Sequence, residues 1–277
     1  MKILFLGDIV GRAGRDAVVT ALPGLRARLG AEFVIINAEN AAHGFGLTPE
    51  IARALFAAGA DVLTLGNHAW DRREIVPYIE GEPRLLRPFN YPPGTPGRGA
   101  GVFTVGSRKV LVVNAMGRLY MDALDCPFRG IDTLLAAHAI GRTVDAAVID
   151  VHAEASSEKQ SFGYHVDGRA SLVVGTHTHV PTADAQILPR GTGYQTDVGM
   201  CGDYDSVIGM RKEVAIERFV RKMPTERLQP ADRAATICGV VVETEPATGL
   251  ARSVDPLRIG GRLAPAWPEF APRRAAE

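Results

Sequence analysis

Residues 2–8 read KILFLGD, a short run of large apolar side chains that ends at Gly7 and Asp8. Similar apolar or β-branched runs recur at 32–40 (EFVIINAEN), 61–68 (DVLTLGNH), 109–117 (KVLVVNAMG), 146–154 (AAVIDVHAE) and 171–179 (SLVVGTHTH). Continuous apolar runs of this length are typical of strands that are buried on both faces. Because helix-like stretches separate several of these runs, the pattern predicts βαβ units and an α/β fold.

The connections between the runs carry helix signals. In the first connection apolar residues recur at helical spacing, and Pro23 is expected to kink or split the helix. In the second, Thr48 and Pro49 suit the start of a helix, and Gly59 suits its end. Asp71 is a candidate cap for a third helix.

The rest of the chain has a different character. Residues 235–259 (ATICGVVVETEPATGLARSVDPLRI) read as two strands around a turn, which indicates a second, partly antiparallel sheet. The segment 88–101 is dense in Pro and Gly and predicts an extended surface loop. We predict one domain over residues 1–262 and a flexible C-terminal tail over 263–277, where apolar periodicity is lost.

The composition excludes several partners. Lys plus Arg and Asp plus Glu number 31 each, so no overall basic field attracts long nucleic acids or anionic membranes. Cys126, Cys201 and Cys238 are widely spaced and too few for a disulfide framework, which indicates a reducing compartment. The N-terminal apolar run is too short for a signal peptide, and no stretch approaches the ~20 apolar residues of a membrane span. We therefore expect a cytoplasmic protein.

Polar residues collect where the apolar runs end. In an open α/β sheet the carboxyl ends of the strands form the ligand-binding edge, so these side chains are expected to converge. Carboxylate, amide and imidazole groups without thiolate suit manganese, iron or zinc at a catalytic centre better than a structural zinc cage. So many ligands predict two ions, roughly 3.5 to 4 Å apart. The candidates are Asp8, Glu39, Asn40, Asn67, His68, His152, His177 and His179.

Each candidate alone has a simpler explanation. Asp8 is equally suited to a helix N-cap, and a strand-end carboxylate such as Glu39 is more often solvated. Asn67 and His68 fit a turn after Gly66, and a lone buried histidine such as His152 more often serves the core. If each residue had its separate explanation, five independent coincidences would be needed at successive strand ends. A shared metal centre is therefore the better interpretation.

The segment His177-Thr178-His179 is the hardest to explain without a metal. On an extended backbone residues two apart face the same way, so both imidazoles are expected to address one site. His43, in NAENAAHGFG, is close in sequence to Glu39. A substrate contact and a loop residue without a role remain equally suitable interpretations of this histidine.

The glycines of LGDIVGRAG (6–14) raise an alternative, a dinucleotide-binding dehydrogenase. Gly7, Gly11 and Gly14 are spaced Gly-x₃-Gly-x₂-Gly rather than Gly-x-Gly-x-x-Gly. Glu39 also lies too far along the chain for the usual ribose contact. The sequence therefore disfavours a dehydrogenase, and Asp8 becomes the informative residue of this segment.

The motifs GDIVG, GNHAW, DVHAE and GTHTHV together resemble those of the calcineurin-like metallophosphoesterases, which surround two metals. The segments NAENAAHGFG, GNHAWDRREI and TDVGMCGDYDSVIGM narrow the resemblance to the YmdB family of bacterial phosphodiesterases, from residue 1 to about residue 260. The resemblance implies the calcineurin-like metallophosphoesterase fold, a two-sheet α/β/β/α sandwich with helices on the outer faces.

The resemblance also implies a role for each candidate. One metal would be surrounded by Asp8, Glu39, Asn40 and His179, and the other by Glu39, Asn67, His152 and His177, with Glu39 bridging. Many relatives in the wider superfamily have a histidine where this chain has Val10. Asn40 is expected to supply an oxygen instead, which favours iron or manganese, with zinc as a further candidate.

The implied activity is hydrolysis of 2′,3′- and/or 3′,5′-cyclic nucleotides by a hydroxide that bridges the metals. The resemblance implies His68 as the proton donor, and its position beside a ligand suits that role because an alkoxide leaving group needs a nearby acid. The alternatives are a phosphomonoesterase (a nucleotidase or protein phosphatase) and a nucleotide-sensing regulatory protein. The expected partner is a small cyclic nucleotide, and a homo-oligomer remains an open alternative to a monomer.

Overall fold

The computed structural model describes residues 1–223 and 226–268. In chain order its strands are β1 (Lys2–Leu6), β2 (Asp8–Ile9), β3 (Phe33–Asn37), β4 (Val62–Thr64), β5 (Leu85–Leu86), β6 (Ala100–Val105), β7 (Arg108–Met116), β8 (Ala146–His152), β9 (Leu172–Thr176), β10 (Gln186–Ile187), β11 (Gly193–Gln195), β12 (Met200–Asp203), β13 (Ala235–Thr244) and β14 (Ala251–Ile259). Its helices are α1 (Gly11–Leu29), α2 (Pro49–Ala58), α3 (Ile75–Gly81), α4 (Pro127–Ala137), α5 (Ser156–His165) and α6 (Lys212–Arg221).

The strands form two sheets. The first has the order β2-β12-β13-β1-β3-β4-β5, with β14 also paired to β13. The second has the order β10-β11-β9-β8-β7-β6. Strands β1, β3, β4 and β5 are mutually parallel, and so are β7, β8, β9 and β11. Each sheet therefore presents one edge at which the carboxyl ends of its parallel strands meet.

Three apolar layers hold the sheets and helices together. Phe5 and Ile35 of the first sheet pack against Val112 and Val148 of the second. The other face of the first sheet packs on α1 and α2, and the other face of the second packs on α4 and α5. The predicted α/β/β/α sandwich with helices on the outer faces is confirmed, and so is the strand character of the six apolar runs.

The C-terminal pair of strands was predicted correctly as a pair but assigned wrongly to a second sheet. Strand β13 is antiparallel to both β14 and β1, so it extends the first sheet. It is apolar on both faces, with Val240 in the layer between the sheets and Val241 in the layer beneath α1. A strand with two apolar faces belongs inside a sandwich, next to β1.

Two helix predictions need correction. Helix α1 is a single helix that contains the exposed Pro23, so the proline does not split it, and the alternative of a kink stays a prediction. Helix α3 begins after Glu74, so Asp71 does not cap it. Helix α2 agrees with prediction, since Thr48 Oγ1 accepts a hydrogen bond from the first turn.

The first residues of the predicted tail contact the sandwich. Arg258 and Ala266 exchange backbone hydrogen bonds of 2.8 and 2.9 Å. The guanidinium carbon of Arg28 lies 4.2 Å from the centre of a Trp267 ring. Residues 269–277 lie outside the described residues, and the single domain and flexible tail remain predictions. No helix in the described part of the chain is long and apolar enough to cross a membrane.

Candidate metal centre

The carboxyl ends of strands from both sheets meet at one place, and the predicted ligands lie there. Asp8, Glu39 and Asn40 come from the first sheet, and His152 and His177 come from the ends of β8 and β9. The potential ligand atoms of Glu39, His152 and His177 all lie within 4.8 Å of one another. Asp8, Glu39 and His152 are fully buried, so the site is built into the protein rather than displayed on its surface.

One group of side chains is centred on His152. Its Nε2 atom lies 2.9 Å from Oδ1 of Asn67, 3.0 Å from a carboxylate oxygen of Glu39 and 3.1 Å from Nδ1 of His177. One ring nitrogen carries at most one hydrogen and cannot satisfy three acceptors. Convergence of four lone-pair atoms is typical of a cation site.

A second group is centred on His179. Its Nε2 atom lies 3.1 Å from the Asn40 amide nitrogen and 3.8 Å from Oδ1 of Asp8. The Asn40 amide also contacts Oε1 of Glu39 at 3.2 Å, so Glu39 touches both groups. A rotation of the Asn40 amide by 180° would exchange its nitrogen and oxygen and present Oδ1 to this space. The two groups joined by Glu39 match the ligand sets that the resemblance implied, and the role of each residue as a ligand remains a prediction.

The backbone of the histidine pair differs from the expected extended form. His177 and His179 have φ angles of 94° and 66°, in the left-handed region that only glycine adopts at low cost. The two imidazoles therefore reach different groups rather than one shared point. Strained backbone of this kind is typical of functional sites, where the surrounding structure holds it in place.

Burial and charge set the protonation of the centre. Burial opposes ionisation of Glu39, but the charge of His152 and a hydrogen bond from it lower the pKa of Glu39 to about 2. Burial favours neutral His152, but the charges of Glu39, Asp8 and Asp150 raise the pKa of His152 to about 9. A proton on His152 thus balances the acidic centre, and a cation that bound there would displace it.

Two further side chains, those of His177 and Asp8, keep atoms that are free to bind a cation. Burial, helped by the charge of His152, lowers the pKa of His177 to about 3, which leaves this imidazole free to act as a ligand. Burial also raises the pKa of Asp8. Oδ1 of Asp8 is buried and has no hydrogen-bond partner among the described residues. A buried carboxylate oxygen without a partner is costly, so these residues fit a bound cation.

Gly66 lets the two sheets approach at the centre. A Cβ atom on this residue would overlap Oε2 of Glu39 and the imidazole of His152. The glycine of the GNHAW motif is therefore required by close packing of the proposed ligands.

His68 lies beside the two groups without joining them. Its backbone N–H donates to Oε2 of Glu39 at 3.0 Å, and its Nδ1 lies 2.8 Å from Oδ2 of Asp71. The Phe45 ring contacts the imidazole edge to face, with 5.1 Å between the centroids. His68 is only partly buried, so its ring is accessible at the rim of the centre.

Comparison with known proteins agrees with this geometry. The family model for YmdB-like proteins matches residues 4–257 of the chain. The chain belongs to the YmdB-like protein family. A 2′,3′-cyclic-nucleotide 2′-phosphodiesterase of Bacillus subtilis (strain 168) is 46% identical over 259 residues, which cover 94% of this chain and 97% of that protein. The predicted membership of the YmdB family is therefore confirmed.

Two solved structures of similar proteins share the fold. A hypothetical protein from Thermus thermophilus has 44% sequence identity and a TM-score of 0.88, over 95% of this chain and all 100% of that one. A phosphatase from Mycoplasma pneumoniae has 34% identity and a TM-score of 0.87, over 94% of this chain and 93% of that one. The predicted metallophosphoesterase fold is confirmed along nearly the whole length.

In this YmdB-like protein a second set of buried polar residues supports His152. Thr176 Oγ1 lies 2.8 Å from His152 Nδ1 and donates to Asp150 at 2.7 Å. Asp150 also accepts hydrogen bonds from Thr64 and Asn37, and burial raises its pKa to about 6. These contacts fix the imidazole plane, which leaves Nε2 directed at Glu39. Asp150 was not predicted, although a carboxylate within the apolar run AAVIDVHAE was a visible signal.

A buried ion pair holds the segment between the two histidines of the YmdB-like centre. Lys159 Nζ lies 2.8 Å from Oδ2 of Asp197, and both side chains are 1% exposed. The same carboxylate oxygen accepts hydrogen bonds from the N–H and hydroxyl of Thr178. The pair thus fixes the backbone that positions His177 and His179. It was missed because its partners lie 38 residues apart in the chain.

Proposed function

We propose that the protein is a dinuclear metal-dependent phosphodiesterase that hydrolyses cyclic nucleotides, with 2′,3′-cyclic monophosphates as the preferred substrates. The observation that carries the proposal is the pair of ligand groups that share Glu39, with His68 at their rim. The predicted phosphodiesterase class agrees with the activity named for the Bacillus subtilis relative. The choice of the 2′,3′-cyclic ester rests on the same relative.

The residues for two cations are present in this chain. Asp8, Asn40 and His179 would hold one ion, and Asn67, His152 and His177 the other, with Glu39 shared. The ligand atoms of these residues are oxygen and nitrogen, with no thiolate sulfur. This set supports iron or manganese, with zinc as the alternative. When bound, such ions neutralise phosphoryl oxygens and activate water.

The chain itself supplies the acid. Asp71 accepts a hydrogen bond from Nδ1 of His68, so Nε2 is the nitrogen left for the substrate, and the ring donates a proton from Nε2 when it is an imidazolium. Cleavage of the bond between phosphorus and the 2′-oxygen requires that this oxygen be protonated as it departs. His68 gives it that proton, and the product is a 3′-nucleotide. The Phe45 ring packs against the imidazole and limits its rotation.

A phosphomonoesterase is the second candidate, because a relative from Mycoplasma pneumoniae with 34% identity is named a putative phosphatase/phosphodiesterase. Metal centres of this kind can hydrolyse either ester. A regulatory nucleotide sensor has less support, since the arrangement of His68 and Asp71 serves turnover and not binding alone.

A substrate panel on metal-analysed enzyme tests the proposal. The panel contains 2′,3′-cyclic, 3′,5′-cyclic and linear 5′-monophosphate nucleotides, assayed before and after chelation and after addition of iron, manganese or zinc. We expect the highest kcat/KM on the 2′,3′-cyclic substrate, a 3′-nucleotide product, and loss of activity on chelation. Faster hydrolysis of monoesters would favour the second candidate, and full activity without metal would refute the mechanism.

Compartment and assembly are further parts of the proposal. Cys126, Cys201 and Cys238 are all free thiols, which supports a reducing compartment such as the cytoplasm. The proposed partner is a small nucleotide. Homo-oligomer formation is supported by α6, where Phe219 and Val220 are 73% and 74% exposed.

A further inference from the structure

A second concave site lies beside the metal centre, and its walls are strongly basic. A cavity of about 550 Å³ is lined by Arg12, Arg15, His43, Arg72, Arg211 and Arg227, which we call the arginine pocket. The one carboxylate among its described lining residues is Asp232. Its volume lies within the roughly 300 to 1,000 Å³ of typical small-molecule sites.

The charge of the arginine pocket is only partly balanced within the protein. Asp232 lies 3.6 Å from a guanidinium nitrogen of Arg12 and 4.0 Å from one of Arg211. Arg72 donates to two backbone carbonyls, those of Ala42 and Phe45, which carry no net charge. Arg15 pairs with Asp16, outside the pocket lining, at 3.2 Å. The pocket thus brings together five guanidinium groups from four segments of the chain, and Asp232 is the one carboxylate among its described lining residues. Arginines that converge on a cavity are suited to phosphate, which they bind through paired N–H groups.

The arginine pocket shares its walls with the proposed catalytic residues. Ile208 O accepts a hydrogen bond of 2.7 Å from His179 Nδ1, and Arg211 directly follows the turn that Val207 and Met210 close around Ile208. Phe45 packs on the ring of His68, and its carbonyl accepts from Arg72 at 3.0 Å. One wall therefore continues from a proposed metal ligand and another from the proposed acid.

We propose that the arginine pocket binds a further phosphate of the substrate, so that the preferred substrate is a short oligonucleotide or a 5′-phosphorylated nucleotide ending in a 2′,3′-cyclic phosphate. This inference rests on the proposed function. A cyclic mononucleotide has a single phosphate, which the metal centre would use, and it offers no phosphate to the arginine pocket. A second phosphate on the 5′ side of the same ribose gives the arginine pocket a group to bind. His43, whose role the sequence left open, is then a contact to that part of the substrate.

The test compares two double variants of equal charge. In Arg12→Gln/Arg211→Gln both changes fall in the arginine pocket, at side chains that are 69% and 52% exposed. In the control, Arg53→Gln/Arg221→Gln, the side chains are 58% and 64% exposed and form surface ion pairs elsewhere. Steady-state kinetics are measured on a 2′,3′-cyclic mononucleotide and on a 5′-phosphorylated dinucleotide with a 2′,3′-cyclic end.

The pocket variant is expected to raise KM for the dinucleotide by about 10- to 100-fold, because each lost contact is a charge-assisted hydrogen bond to phosphate. Its kcat, its metal content and its kinetics on the cyclic mononucleotide are expected to remain unchanged, since only binding of the remote phosphate is lost. Equal behaviour of pocket and control variants on the dinucleotide would overturn the proposal. An equal rise in KM on the dinucleotide and on the cyclic mononucleotide would also overturn it.

Direct binding separates this inference from the proposed function. Binding of a labelled 5′-phosphorylated dinucleotide with a linear 3′-phosphate is followed by anisotropy over a range of salt concentrations. The pocket variant is expected to bind more weakly and to lower the slope of log K against log salt by about 1. This result tests whether the arginine pocket binds phosphate, even if the enzyme hydrolyses no cyclic nucleotide. Tighter binding of a nucleoside triphosphate that alters turnover would indicate an effector site and overturn the assignment to substrate.

Discussion

The Nδ1 atom of His68 lies 2.8 Å from Oδ2 of Asp71, three residues further along the chain. This contact replaces the helix cap expected of Asp71, because α3 begins only after Glu74. A carboxylate at Nδ1 fixes both the ring orientation and the nitrogen that remains for the substrate. The GNHAWD segment thus contains the proposed acid and the residue that positions it.

His68→Ala is expected to lower kcat on a cyclic nucleotide by about 10²- to 10⁴-fold with unchanged metal content. The loss should be far smaller on a p-nitrophenyl diester, whose leaving group needs no proton. Kinetics on both substrates, with elemental analysis, check this. His165→Ala is the matched control, since that exposed histidine makes the same type of contact with Asp132 at 3.0 Å. Equal losses on the two substrates would argue against an acid role.

Asp71→Asn is expected to reduce kcat on the cyclic nucleotide by less than His68→Ala does. The imidazole remains, but the contact that orients it is weakened. The loss should be smaller on a p-nitrophenyl diester, whose leaving group needs no proton. A purely structural role of Asp71 would lower turnover of the cyclic nucleotide and of the p-nitrophenyl diester equally, so the ratio of the two losses is the deciding measurement.

Glu39→Gln is expected to reduce the metal content per chain as well as the rate, because Glu39 touches both ligand groups. Elemental analysis of the purified variant checks the prediction. Glu154→Gln is a suitable comparison: its carboxylate lies 3.2 Å from His177 but is 51% exposed, so its loss should alter metal content little. Two metals per chain in the Glu39 variant would contradict the shared position of this residue.

The sequence predicted the ligand candidates because a simple rule applied to them. Parallel strands align their carboxyl ends, so Asp8 had to lie near Glu39 in the first sheet, and His152 near His177 in the second. The packing of the two sheets then brings these edges together. The position of β13 followed no such rule. Its pairing with β1 is a contact between residues 239–243 and 2–6, and strand periodicity does not specify which neighbour a strand chooses.

Two features of the centre depend on tertiary structure alone. The left-handed φ angles of His177 and His179 are not preferred by histidine, and the contacts of Asp197 and Ile208 impose them. The support of His152 by Asp150 runs through the hydroxyl of Thr176, a residue of a neighbouring strand. Local sequence carries no record of such a cross-strand contact, so only the fold could reveal it.

Gly66→Ala is expected to abolish metal binding while the chain still folds. The added methyl group would overlap Glu39 and His152, which belong to the proposed ligand groups and must separate to admit it. Metal content and the far-ultraviolet circular dichroism spectrum check both parts. Gly24→Ala in α1 is the control, because a Cβ there meets open space and alanine favours a helix. Normal metal content in the Gly66 variant would refute the packing argument.

Lys159→Met is expected to destabilise the protein by about 3 to 5 kcal/mol, because it leaves the carboxylate of Asp197 buried without its cation. Urea unfolding of the wild type and the variant measures this loss. Metal affinity should fall as well, since Asp197 holds Thr178 between two proposed ligands. The double variant Lys159→Met/Asp197→Leu removes both charges and is expected to recover part of the stability but not metal affinity, because Thr178 and Gly199 then lack their acceptor. Full recovery of both properties would show that the ion pair does not position the histidines.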